Sequence, residues 1–138
     1  MKRTLILCLA VVLIVVPGGF ARWAPVPLKE LLKKTDVIVV ARLSGVRETT
    51  KQGVDHGSGT LTVTEVIRGS VKKGDKLELE WSNDSDIICP RVDHATYDGK
   101  TMIWLLQTST NGAVRADHPG RVIDPKNRVE LDARLKQN

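Results

Sequence analysis

Residues 36–46 read Asp-Val-Ile-Val-Val-Ala-Arg-Leu-Ser-Gly-Val, and residues 101–108 read Thr-Met-Ile-Trp-Leu-Leu-Gln-Thr. Each contains five successive apolar residues, Val37 to Ala41 and Met102 to Leu106. Successive side chains on a strand alternate in direction, so such a run is apolar on both faces and must be covered on both. With short strands and only short helical segments available, the expected solution is mostly β. It is a small curled sheet closed around its own interior, with helices laid outside.

The segments between these two runs fit that solution. Residues 60–68 alternate at first, Leu61 and Val63 against Thr62 and Thr64, and then slip at Glu65-Val66-Ile67, which marks a bulge. Gly45 marks a second bend. Lys72-Lys73-Gly74-Asp75 is a turn, and Leu77, Leu79 and Trp81 alternate with Glu78 and Glu80 in a clean strand over 76–81. Residues 49–59 hold three glycines and no apolar pattern, and read as a loop. Residues 82–100 read as a long polar connection. Asn111-Gly112 is a hairpin signal that should return the chain through 113–117 as a fifth strand. Five strands with a long third connection match an OB-like Greek-key barrel; the alternative is a two-layer α+β sandwich.

Two helices complete the reading. Pro27 suits a first turn, with Leu28, Leu31 and Leu32 on one face and Glu30 placed to meet Lys34. Asp124-Pro125 reads as an N-cap and first-turn proline of a helix to about Lys136, with Leu131 and Leu135 together and Glu130 beside Arg134.

The first 21 of the 138 residues contain no acidic residue. Lys2 and Arg3 precede an apolar run from Leu5 to Val16, Pro17-Gly18-Gly19 breaks it, and Gly19-Phe20-Ala21 offers small residues to a signal peptidase. Cleavage after Ala21 is therefore expected, with export to a periplasmic or extracellular space. The alternative is an uncleaved membrane anchor over residues 4–21. The division is a signal segment at 1–21, a lead-in and short helix at 22–35, the β domain at 36–123 and a C-terminal helix at 124–138. With 41% hydrophobic and 27% charged residues, bulk disorder and a multi-pass membrane protein are excluded.

Removing Lys2 and Arg3 lowers the net charge from +5 to +3, too small a surplus to argue for a polyanion partner. Cys8 leaves with the segment, so Cys89 is the one remaining thiol and no internal disulfide can form. Cys89 is then buried, free or paired with another molecule.

Residues 35–43, Thr-Asp-Val-Ile-Val-Val-Ala-Arg-Leu, and 61–69, Leu-Thr-Val-Thr-Glu-Val-Ile-Arg-Gly, form one pattern with Cys89 and with Gly99-Lys100 leading into Ile103-Trp104-Leu105-Leu106. Over residues 35–110 this pattern resembles the netrin-like domains related to tissue inhibitors of metalloproteinases. The resemblance implies an OB-type barrel. It does not carry protease inhibition, because those inhibitors reach the protease zinc with an N-terminal cysteine and hold several disulfides. Residues 22–30 contain no cysteine.

Each histidine follows an aspartate: Asp55-His56, Asp93-His94 and Asp117-His118. Imidazole and thiolate are metal ligands, and Cys89, His94 and His118 are the members of this set that can meet in the expected topology, as a metal-binding or thiol-dependent hydrolase site. The competing reading makes all of them polar loop residues, with no metal, cofactor or catalytic residue. Glu78 and Glu80 share a face as glycosidase carboxylates do, but also as an ordinary solvated strand does. Asn83-Asp84-Ser85 fits a glycosylation acceptor. His56-Gly57-Ser58-Gly59 is followed by no Gly-x-Ser-x-Gly nucleophile. Single-stranded nucleic acid needs exposed aromatics over a basic groove, and Trp81 and Trp104 are expected in the core instead. The expected function is an exported, non-catalytic binding or structural module whose partner is a protein or envelope component, with 49–59 and 82–100 as its contact loops.

Overall fold

The doubly apolar runs become the two strands that hold the rest together. The computed structural model describes residues 25–84 and 91–137. In it β1 (Val37–Lys51) pairs antiparallel with β2 (Val54–Arg68) along its whole length. On its other edge, β1 pairs through residues 37–42 with β4 (Thr101–Thr108). β2 pairs with β3 (Lys76–Asp84), and β3 meets β5 (Val114–Arg115) in parallel at Leu79 and Val114. β5 returns to β4, so the bonding runs β1-β2-β3-β5-β4 and back to β1. A sixth strand, β6 (Val122–Ile123), joins the free stretch of β4. The fold is mostly β, with six strands where the sequence reading has five.

Alternation along the apolar runs divides the core in two. Val37, Val39, Ala41 and Leu43 of β1 face the ring interior with Leu61, Val63, Leu79, Trp81, Trp104 and Leu106. Ile38, Ile103 and Leu105 face outward and are covered by Leu31 and Leu32 of α1 (Leu28–Lys33) and Leu131 of α2 (Arg128–Leu135). Fully burying one such aliphatic side chain is worth roughly 1.5–3 kcal/mol, which explains why both helices lie on this face. Bulges fall where the alternation slips. Between Ile38/Val39 and Val40/Ala41 the register steps past one residue of β2 each time, and a further shift between Ser44 and Arg47 contains Gly45 at φ +67°.

The expected loop at 49–59 is instead strand on both sides of a two-residue turn. Arg47 pairs with Ser58, Thr49 with His56 and Lys51 with Val54. Gln52 and Gly53 both take positive φ, 53° and 76°, the geometry of the tight hairpin turn that matches strand twist. No apolar alternation announces this arm because its residues are mostly polar or glycine: one face is solvated, and the other is covered at Gly57 by the Trp81 ring rather than by side chains of its own. Asn111-Gly112 also turns the chain, but through a longer loop. Gly112 donates to Ser109 O at 3.0 Å, Ser109 donates to Ala113 O at 2.8 Å, and only Val114 and Arg115 pair as strand. Asp124 caps a single 3₁₀ turn at Pro125–Asn127, accepting from Lys126 N at 2.9 Å, and the α-helix begins after it.

The helical ion pairs also differ from those expected. Lys33 rather than Lys34 meets Glu30, at 2.9 Å, and in α2 the pair is Arg128 with Asp132, at 2.8 Å. α1 has six residues and would not persist alone. Two guanidiniums hold its end. Arg68 Nη2 donates to Leu32 O and Thr35 O at 3.0 and 2.7 Å. Arg121, 3% exposed, donates from Nη1 to Thr35 Oγ1 and Leu105 O at 3.0 and 3.2 Å, and from Nη2 to Lys34 O at 3.4 Å. Oxygens at the negative end of a helix suit a buried cation. Burial still lowers the Arg121 pKa, against the opposing pull of Asp117 and Asp36.

Among the described residues no helix is long and apolar enough to cross a membrane. The apolar N-terminal run, its expected cleavage site, Ser85 and Cys89 lie outside the described residues.

Candidate functional site

The histidines expected to meet are brought to one neighbourhood and given different work. His94 opens a short 3₁₀ turn, His94–Tyr97, in the connection between β3 and β4. In its described part, Val92 and His94 are buried, and the His94 imidazole, 1% exposed, enters the core beside the Trp81 and Trp104 indoles. Its ring stacks on Trp81 at 4.1 Å between centroids with 16° between planes, and lies parallel to Trp104 at 6.5 Å and 6°. Tyr97 meets the edge of Trp104 at 6.0 Å. The four rings thus pack as one cluster against the core.

Neither ring nitrogen of His94 has a hydrogen-bond partner of good geometry. Burial pushes its pKa below the ordinary histidine value. Main-chain groups at Ala116 and Val92 and the carboxylates of Asp117 and Asp93 pull the other way. The neutral imidazole is the form this site accommodates.

His94 therefore reaches the segment that precedes His118, while the His118 ring turns elsewhere. Its Nδ1 accepts from Gly120 N at 2.9 Å and caps the 3₁₀ turn Pro119–Arg121. Burial, and then the Arg121 charge, lower its pKa. Among the described residues no group of three His, Cys, Asp or Glu side chains is placed to hold a metal.

The third histidine, His56, lines a surface groove. Outward-facing residues of β1, β2, β3 and β5 line an open groove of about 730 Å³. Arg47, Ser58 and Glu80 form one row across β1, β2 and β3, and Thr49, His56 and Ser82 form the next. Glu78 and Arg115 complete the walls. Arg115 is already held, by Asp117 at 2.8 Å and by Ser82 Oγ at 3.3 Å. Glu80 accepts from Asn111 Nδ2 at 3.1 Å. Arg47, His56 and Glu78 make no side-chain hydrogen bond or ion pair among the described residues, so their polar groups are available to a ligand.

Beneath the groove the backbone is shaped to take an indole. Glu48, Gly57 and Trp81 form one row across the three strands. Trp81 crosses Gly57 to donate from Nε1 to Glu48 Oε1 at 3.3 Å. A Cβ on Gly57 would sit 2.1 Å from the ring, so only glycine fits.

Sequence reading placed Glu78 and Glu80 correctly on one outward face, and both tryptophans in the core. It missed the groove, since Arg47, His56 and Arg115 reach it from strands whose pairing the one-dimensional pattern does not reveal. The Gly57/Trp81 pairing was the available signal, once 54–60 is read as strand. No family model matches this chain, and no curated protein matches it.

Proposed function

We propose that this chain is an exported, non-catalytic binding module built on an OB-like Greek-key barrel, and that it binds through the outer groove of β1, β2, β3 and β5. The circuit β1-β2-β3-β5-β4-β1 supports the OB reading, and with it the resemblance to netrin-like domains. In that fold the face of strands two and three and its adjoining loops form the usual contact surface. One observation carries the functional reading. The described tryptophans are turned inside, 3% exposed for Trp81 and 0% for Trp104, while the outer groove is polar and holds unpaired charged groups. No tryptophan among the described residues is exposed as a stacking platform of the kind that single-stranded nucleic acid requires.

The hydrolase reading built on Cys89, His94 and His118 loses support. It needs an accessible imidazole, and His94 is inside the core while His118 serves as a cap.

Two measurements test the proposal. N-terminal sequencing of protein recovered outside the cytoplasm should begin at Arg22; an intact Met1 terminus in the membrane fraction would replace export by anchoring. Amide chemical shifts of ¹⁵N-labelled protein, followed against a panel of sugars, peptides, nucleotides and carboxylic acids, should move at residues 47–49, 56–58 and 78–82. Shifts confined to other surfaces, or none with any compound, would remove the groove as the binding site.

A further inference from the structure

We infer that the groove takes an extended peptide segment carrying one acidic and one basic side chain two residues apart, laid across the strands. This inference rests on the groove being the binding surface and adds the class of ligand. The free charges of the groove have opposite sign and sit on opposite walls: Arg47 on β1, Glu78 on β3 beside Glu80. They do not pair with each other, although Arg47 and Glu80 share a row, because β2 lies between them with only Ser58 in that row. Two inter-strand steps put their backbones about 9.5 Å apart. Arginine and glutamate are long enough for their charged ends to approach more closely than their backbones, and same-face side chains of an extended peptide repeat at about 6.5–7 Å. A peptide crossing the strands would therefore place its carboxylate at Arg47 and its ammonium or guanidinium at Glu78 and Glu80.

The rest of the lining fits the same ligand. Thr49, Ser58, Ser82 and His56 offer hydroxyl and imidazole groups to a peptide main chain, which carries one donor and one acceptor per residue. An all-acidic segment would meet Glu78 and Glu80, and an all-basic one Arg47, so like-charge contact rejects both. Contacts of this exposed kind supply selectivity more than strength.

The test uses three synthetic peptides, acetyl-Ala-Glu-Ala-Lys-Ala-amide and its Glu/Glu and Lys/Lys counterparts, titrated into ¹⁵N-labelled protein. The mixed-charge peptide should move amides at 47–49, 56–58 and 78–82 and bind at least threefold tighter than either counterpart. Arg47→Glu, an exposed change that should leave the remaining spectrum intact, should transfer the preference to the Lys/Lys peptide. Equal affinity for all three peptides, or an unchanged ranking in Arg47→Glu, would overturn the peptide assignment. If other panel compounds still shift groove amides, that failure is confined to the ligand class; if nothing shifts them, the binding-module reading falls with it.

Discussion

Replacing His94 by phenylalanine should remove a specific part of the protein's sensitivity to acid. The imidazole is 1% exposed, stacked on Trp81 with its plane parallel to Trp104, and without a well-formed hydrogen bond at either nitrogen. In the unfolded chain His94 binds a proton near the ordinary value of 6.5; in the folded chain burial lowers its pKa. Between those two values the unfolded state holds the extra proton, so stability rises with pH and is lost as pH falls. His94 therefore favours folding fully above pH 6.5. Its contribution falls by up to about 1.4 kcal/mol for each unit of acidification, until the folded-state pKa is reached. Asp93 and Asp117 narrow the window, because both favour the imidazolium. Phenylalanine keeps a flat ring against the Trp81 indole and cannot titrate. Urea denaturation of both proteins at half-unit steps from pH 7.5 to 5.0 gives the difference in unfolding free energy, in which the other histidines cancel. That difference should be level above pH 7 and should then turn progressively against the wild type. A flat difference across the range would show that His94 titrates alike in both states, and the buried neutral stack would be wrong.

Three further substitutions probe other joints of the structure. Gly57→Ala drives a methyl into the Trp81 indole and should cost about 2–3 kcal/mol in urea midpoint stability, with altered tryptophan fluorescence; a loss under about 0.5 kcal/mol would mean that the indole has another place to lie. Arg121→Ala leaves Thr35 Oγ1, Leu105 O and Lys34 O without their donor and opens a cavity behind α1. A loss of about 3 kcal/mol or more is expected, with earlier hydrogen exchange in α1, and a neutral result would disprove that the guanidinium holds the helix end. Asp124→Ala removes the acceptor for Lys126 N and should cost about 1 kcal/mol, largely restored in Asp124→Asn; equal losses in both variants would show that the cap is not the cause.

The residues themselves determined the parts of this protein that depend on near neighbours. Two doubly apolar runs demanded cover on both faces, and the structure supplies it, with Val39 and Trp104 inside and Ile38 and Leu105 under the helices. Gly45 and the slip at Glu65-Val66-Ile67 announced bulges because a broken period of two is visible along one strand. The hairpin arm was invisible for the converse reason. An arm whose covered face is a glycine under another strand's indole has no apolar period, and Gln52-Gly53 is a weaker turn signal than Asn-Gly. What only tertiary structure decided is which side chains share a surface. Arg47, His56, Glu78 and Arg115 come from four strands, and their meeting depends on bulge positions and strand order. A shift of one residue would turn each of them to the other face. The fate of His94 was settled in the same way, since an Asp-His pair reads alike whether the ring points to water or packs in the core beside two indoles that the chain supplies 13 residues before it and 10 after.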